Sequence, residues 1–62
     1  MIIKPSSVHA DPAKALAAIV RVTQSLDIKI ANCTPNFSFL KLEGIEESDR
    51  ETFIKMCQEN VQ

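Results

Sequence analysis

Sixty-two residues make one domain, and a chain this short buries only about 60% of the surface its unfolded form exposes. Its 45% hydrophobic content and single glycine exclude a disordered or collagen-like chain. Seven basic against eight acidic residues leave a formal charge of −1, with no overall electrostatic footprint for a phosphate backbone, so no nucleic-acid partner is expected.

The opening Met1-Ile2-Ile3-Lys4-Pro5 lacks the long apolar core of a signal peptide, and no run reaches transmembrane length. A cytoplasmic protein without a membrane partner is therefore expected. Ile2 and Ile3 suit a brief strand that Pro5 stops, at a sheet edge where the missing N–H is not needed. Ser6 to Ala10 reads as a linker. Asp11 is a good N-cap and Pro12 fits the first helical position, so a helix is predicted from Pro12 to about Ser25. Leu16, Ile19, Val20, Thr23 and Leu26 form one apolar stripe on it, opposite Lys14, Arg21 and Ser25. Ala15, Ala18 and Val22 widen that stripe beyond what one sheet face needs. Such a shoulder packs either under the chain's own sheet edge or against a second close neighbour.

The stretch 26–43, LDIKIANCTPNFSFLKLE, reads as two strands joined by a polar turn. Ile28 and Ile30 alternate with Asp27, Lys29 and Ala31, the period of a half-buried strand. Asn32-Cys33-Thr34-Pro35-Asn36 is the breaker cluster, and Phe37 to Glu43 is rich in strand formers and closed by Gly44. Leu40 and Leu42 point one way; Phe37 and Phe39 share parity with Lys41 and Glu43. In a regular strand both phenylalanines face away from the leucines, making an exposed apolar patch. A bulge near Ser38-Phe39 would instead return all four to the core. The outward arrangement is the expectation, because Leu40, Leu42, Ile28, Ile30, Leu16, Val20 and Phe53 already furnish a core.

No glycine ends the first helix, so its connection through Asp27 must be tight. Ser48-Asp49-Arg50-Glu51 matches a capping box, and Glu46, Glu47 and Asp49 complement the helix dipole. The second helix runs to about Asn60, burying Phe53, Cys57 and Val61. The order is β-α-β-β-α, an α+β domain with a central hairpin sheet and both helices on one face. A right-handed crossover through the first helix would set the first strand beside the second. The order resembles most of a ferredoxin-like or ACT-type domain. The stretch 11–30, DPAKALAAIVRVTQSLDIKI, resembles the helix-then-strand segment of ACT domains without their usual glycine between the two. What the resemblance implies is a small-ligand-sensing regulatory module whose pocket forms at a dimer interface; it assigns no residue a role.

Little in the chain points to catalysis. His9 is the only histidine, and its spacing to Asp11 and the cysteines matches no common metal-ligand pattern, so no metal is expected. Cys57 lies on an apolar helix stripe and reads as a small core hydrophobe rather than a nucleophile. Cys33 opens the turn as the more accessible thiol, without a neighbouring cation in sequence to activate it. The acidic run Glu43, Glu46, Glu47, Asp49 is spaced unlike a calcium loop, and one glycine cannot build a phosphate loop. No cofactor and no enzymatic activity are expected. With cysteines reduced in the cytosol, association is the expected source of extra stability. These readings converge on a non-enzymatic regulatory protein, of inhibitor, adaptor or accessory-subunit type. It would bind a protein partner or its own copy through its sheet, using Phe37, Phe39 and Lys41 with the Ala15, Ala18 and Val22 shoulder.

Overall fold

The longest element of the computed structural model, which describes residues 1–34, 36 and 38–61, is the helix α1 at Pro12–Leu26. Asp11 stays extended and its carboxylate accepts a hydrogen bond from the Ala13 N–H at 3.0 Å, while Pro12 opens the first turn. The helix buries Ala15, Ala18, Ile19, Val22 and Thr23, a stripe at helical spacing. The Thr23 hydroxyl donates to the Val20 carbonyl at 2.8 Å, which leaves no orphaned polar group in that stripe.

That stripe is rotated from the expected one. Leu16 is half-buried, and Val20, expected in the core, is 40% exposed. The supposed shoulder of Ala15, Ala18 and Val22 is the centre of the buried face, so these three residues are corrected from partner surface to core. Small side chains let a helix axis approach its neighbours closely, and so the alanines, not the leucines, take the inward line.

At the far end, Asp27 adopts the left-handed conformation at φ 57, ψ 39. Its N–H and that of Ile28 both reach the Thr23 carbonyl, the latter at 2.9 Å. This is the job a glycine usually performs at a helix end, and an aspartate tolerates it better than most residues. The chain thereby turns directly into β2, Lys29–Cys33, and returns as β3, Leu40–Glu43; β1 is Ile2–Ile3.

The sheet is antiparallel in the order β1-β3-β2. The first strand thus lies beside the third, not beside the second as the crossover expectation had it. β3 alternates strictly in and out, with Leu40 and Leu42 buried and Lys41 and Glu43 exposed, which suits a strand flanked on both sides. β2 extends into the predicted breaker cluster as far as Cys33, and β3 begins later than expected, at Leu40.

Gly44 follows β3 at φ +92. A Cβ there would meet only the Asp27 carbonyl oxygen at 3.9 Å and the Ile28 Cα at 4.0 Å, so backbone conformation and not space is the constraint. Gly44→Ala should destabilise the fold by about 1–3 kcal/mol, read as a lower urea midpoint at unchanged slope. An unmoved midpoint would show that the backbone relaxes there without strain.

The second helix, α2, spans Arg50–Glu59 and is entered through a 3-10 turn at Glu47–Asp49. The capping box is not made: no side chain caps this helix, and the Arg50 guanidinium instead grips the Glu47 carboxylate at 2.9 and 2.8 Å. The tightened turn bonds the Asp49 N–H to the Glu46 carbonyl at 3.0 Å, drawing Ser48 away from capping geometry. Phe53 and Cys57, one turn apart, are buried, with Ile54, Met56 and Val61 partly so. The Arg21 side chain donates to the Asn60 carbonyl at 2.8 Å, tying the end of α2 to α1.

Ile3, Leu40 and Leu42 pack with the inward residues of both helices into one core. The segment read as a linker contributes too, since a 3-10 turn at Pro5–Ser7 buries Pro5 and delivers Val8 to the same cluster. The described residues leave the opposite face of the sheet open.

Candidate functional site

The open face is defined by strand register. Ile2 stands opposite Lys41, with Asn32 on Lys41's other side; Lys29 stands opposite Glu43. One residue, Leu42, separates Lys41 from Glu43, but two, Ile30 and Ala31, separate Lys29 from Asn32. The difference is absorbed by an irregularity between Ile30 and Asn32, where Ala31 is the extra residue. A bulge is therefore present, but on the strand facing the one where it was considered. Its effect is to keep both Lys29 and Asn32 on the open face.

Continuing the β1–β3 register by one residue sets Lys4 beside Phe39. The Lys4 Nζ lies 5.4 Å from the centroid of the Phe39 ring, within range of a cation–π contact. Phe39 is 42% exposed and Ile2 is 51% exposed. Phe39 thus stands outward, as the parity of its strand requires. Phe37 lies outside the described residues.

The result is a two-by-two pattern: apolar Ile2 and Phe39 on one diagonal, cationic Lys4 and Lys41 on the other. A shallow cleft of about 190 Å³ runs between Ile2, Cys33, Phe39 and Lys41. On its far side the Phe39 ring also walls a larger cleft of about 440 Å³, with Lys4, Ser6, His9, Asn36 and Ser38. The one ion pair among the described residues is Arg50 with Glu47 at 2.7 Å, so no lysine on this face makes an ion pair with a described carboxylate.

The sheet edges are less available than the face. β1 is two residues long, and in β2 the Asn32 side chain accepts the Cys33 N–H at 2.8 Å beside the bulge. Short strands, bulges and filled donors are how an edge avoids pairing with a stray strand.

Other candidates fall away on geometry. Cys57 is fully buried, and burial pushes its thiol up to about 11, so it keeps its proton at neutral pH and is no nucleophile. The His9 Nδ1 accepts the Asp11 N–H at 2.9 Å, closing the turn before α1. No three His, Cys, Asp or Glu side chains gather as metal ligands among the described residues. Cys33 is exposed and shares the smaller cleft with Lys41. A further cleft of about 290 Å³ lies against the turn between α1 and β2, with Leu26, Ile28, Ile45 and Met56 alongside Glu46 and Asp49.

Of the six residues expected to meet a partner, Phe39 and Lys41 come together on the open face, while Ala15, Ala18 and Val22 lie behind it in the core. Sequence reasoning missed Ile2 and Lys4. Their signal was available: they share parity in a strand that Pro5 marks as an edge. What it could not supply was the neighbour of that strand. Comparisons with protein-family models, with curated sequences and with solved structures found no match.

Proposed function

We propose that this chain is a small non-enzymatic interaction protein, of inhibitor, adaptor or accessory-subunit type, that binds a protein partner through the open face of its sheet. The observation that carries the reading is Phe39 diagonal to Ile2, both exposed, on a sheet face that no element among the described residues covers. Two large apolar side chains exposed on one face and framed by polar groups have the make-up of an interaction surface. The α+β fold supports it: both helices spend their apolar stripes on the other face, leaving this one unused. A partial ferredoxin-like or ACT-like topology belongs to the same proposal, supported by the order β1-β3-β2 with a helix after the first and third strands.

Phe39→Ala tests it. The variant should unfold in urea within about 0.5 kcal/mol of the parent, as expected of an exposed position, while association weakens. Association is read by sedimentation equilibrium for self-assembly and by co-purification for a different partner. A 6.9 kDa species at micromolar concentration removes the second copy as occupant. Loss of several kcal/mol of stability in Phe39→Ala would make the ring a core residue and end the proposal.

The second reading is an ACT-like small-ligand-sensing module, favoured by the 290 Å³ cleft at the helix–strand turn. A thermal shift against amino acids and nucleotides separates the two, since a ligand that binds only the folded chain raises its melting temperature.

A further inference from the structure

We infer that the partner segment taken by the open face is acidic and carries an apolar anchor: a peptide stretch of another protein in which glutamates or aspartates flank one or two aliphatic or aromatic side chains. The inference rests on the reading of this face as protein-binding. Its ground is charge, which is distributed unevenly over a chain that is almost neutral. The face presents Lys4, Lys29 and Lys41 against the single carboxylate of Glu43. None of the residues lining the two clefts that meet at Phe39 is acidic among those described. Four of the other acidic residues, Glu46, Glu47, Asp49 and Glu51, cluster at the entry to α2, while Asp11 borders the larger cleft with its carboxylate on the Ala13 N–H.

Two features narrow the occupant. First, a symmetric homodimer presses a face onto its own copy. Here that would bring Lys4, Lys29 and Lys41 against the same lysines, with one glutamate from each side to offset them. A second copy is thus the wrong occupant in that geometry. Second, the cations alternate with apolar groups at strand spacing. Ile2 and Phe39 offer a dry contact for an anchor side chain, while Lys4 and Lys41 stand on either side for flanking carboxylates. The lysine ammonium suits this arrangement as a flexible point charge that swings to meet its partner. Asn32 and Thr34 border the same cleft with polar side chains. A single-stranded nucleic acid also offers rings and negative charge. It is disfavoured because single strands stack successive bases on several aromatic rings, and Phe39 is the one exposed aromatic ring among the described residues.

The test is fluorescence anisotropy of three labelled peptides with the folded chain: Glu-Glu-Val-Leu-Glu-Glu and its counterparts with serine or lysine in place of every glutamate. Oligodeoxythymidine serves as the nucleic-acid probe. The glutamate peptide should bind best, and less well as salt screens the lysines. The Lys4→Glu, Lys41→Glu double variant should weaken it at least about tenfold, and Lys4→Gln, Lys41→Gln by a smaller factor in the same direction. Circular dichroism of each variant, expected to match the parent, keeps a folding defect separate from lost binding. Binding of the lysine peptide at equal or higher affinity overturns the inference. So does tighter binding of oligodeoxythymidine. Equal binding of the serine peptide, abolished by Phe39→Ala but indifferent to the lysine variants, overturns the acidic partner while sparing the protein-binding reading. If no peptide binds and Phe39→Ala leaves every association unchanged, both fail together.

Discussion

Phe53→Ala should leave the chain largely unfolded in the absence of denaturant. Phe53 is the largest fully buried side chain, and it stands where α2 meets the core formed by Ile3, Ile19, Leu42 and Cys57. Truncating such a residue removes its transfer free energy and leaves a cavity that a close-packed interior fills only in part, about 3–5 kcal/mol together. Stability of about 0.05–0.15 kcal/mol per residue sets the whole reserve of a domain this short at a comparable figure. At 62 residues that reserve is about 3–9 kcal/mol. The loss takes most of it toward the lower end, where a chain this short without a disulfide is expected to lie. Far-ultraviolet circular dichroism at room temperature should show most of the helical signal gone, and thermal unfolding should lack a cooperative step. A variant that still melts cooperatively near the parent's temperature would mean that α2 is not held by this ring. Phe39→Ala, the same chemical change on the other side of the sheet, is the internal control.

The second large effect centres on Cys57. Cys57→Ser replaces a thiol among apolar neighbours with a hydroxyl that has no evident partner, and should lower stability by about 1–3 kcal/mol. The thiol also links folding to pH. Burial pushes it from the ordinary 9.0 up to about 11, so between those values the folded chain holds a proton that the unfolded chain has released. A raised pKa contributes stability that is complete below about pH 9 and is lost as pH climbs through about 11. The lysines titrate in the same region, so the comparison is with Cys57→Ala: the urea midpoint of the parent should fall more steeply with pH than that of the variant. Parallel pH slopes would show that the thiol is hydrated in the folded state. Labelling gives an independent check, since a thiol reagent should modify exposed Cys33 in the native protein and Cys57 only on unfolding.

The exposed Phe39 and the buried Cys57 were legible for the same reason: each depends on periodicity within one element. Parity along a strand sends Phe39 to the side opposite Leu40 and Leu42 once the strand is regular. Spacing of one helical turn sends Cys57 to the side of Phe53. Local chemistry was legible as well, where it involves neighbours in sequence. Asp11 and Pro12 open α1 as read. Asp27 makes the tight turn that the absence of a glycine demanded, by accepting a left-handed backbone.

Choices between similar local options were another matter. A capping box and a 3-10 entry are both open to Glu47-Ser48-Asp49-Arg50-Glu51, and the bidentate grip of Arg50 on Glu47 accompanies the second. Which of two overlapping apolar lines on α1 faces inward depends on how near its neighbours come. The close approach that Ala15 and Ala18 permit turned Val20 outward.

By itself, then, the amino-acid sequence determined an α+β chain of two helices and short strands, the outward side of β3 and the inward side of α2, because each follows from spacing and backbone chemistry within a few residues. Only the tertiary structure decided that β1 lies beside β3, that Ala31 is the extra residue in β2, and that Ile2 and Lys4 therefore join Phe39 and Lys41 on one face. Strand neighbours and register are set by contacts between segments far apart in sequence, and a shift of one residue moves every side chain of a strand to the other face.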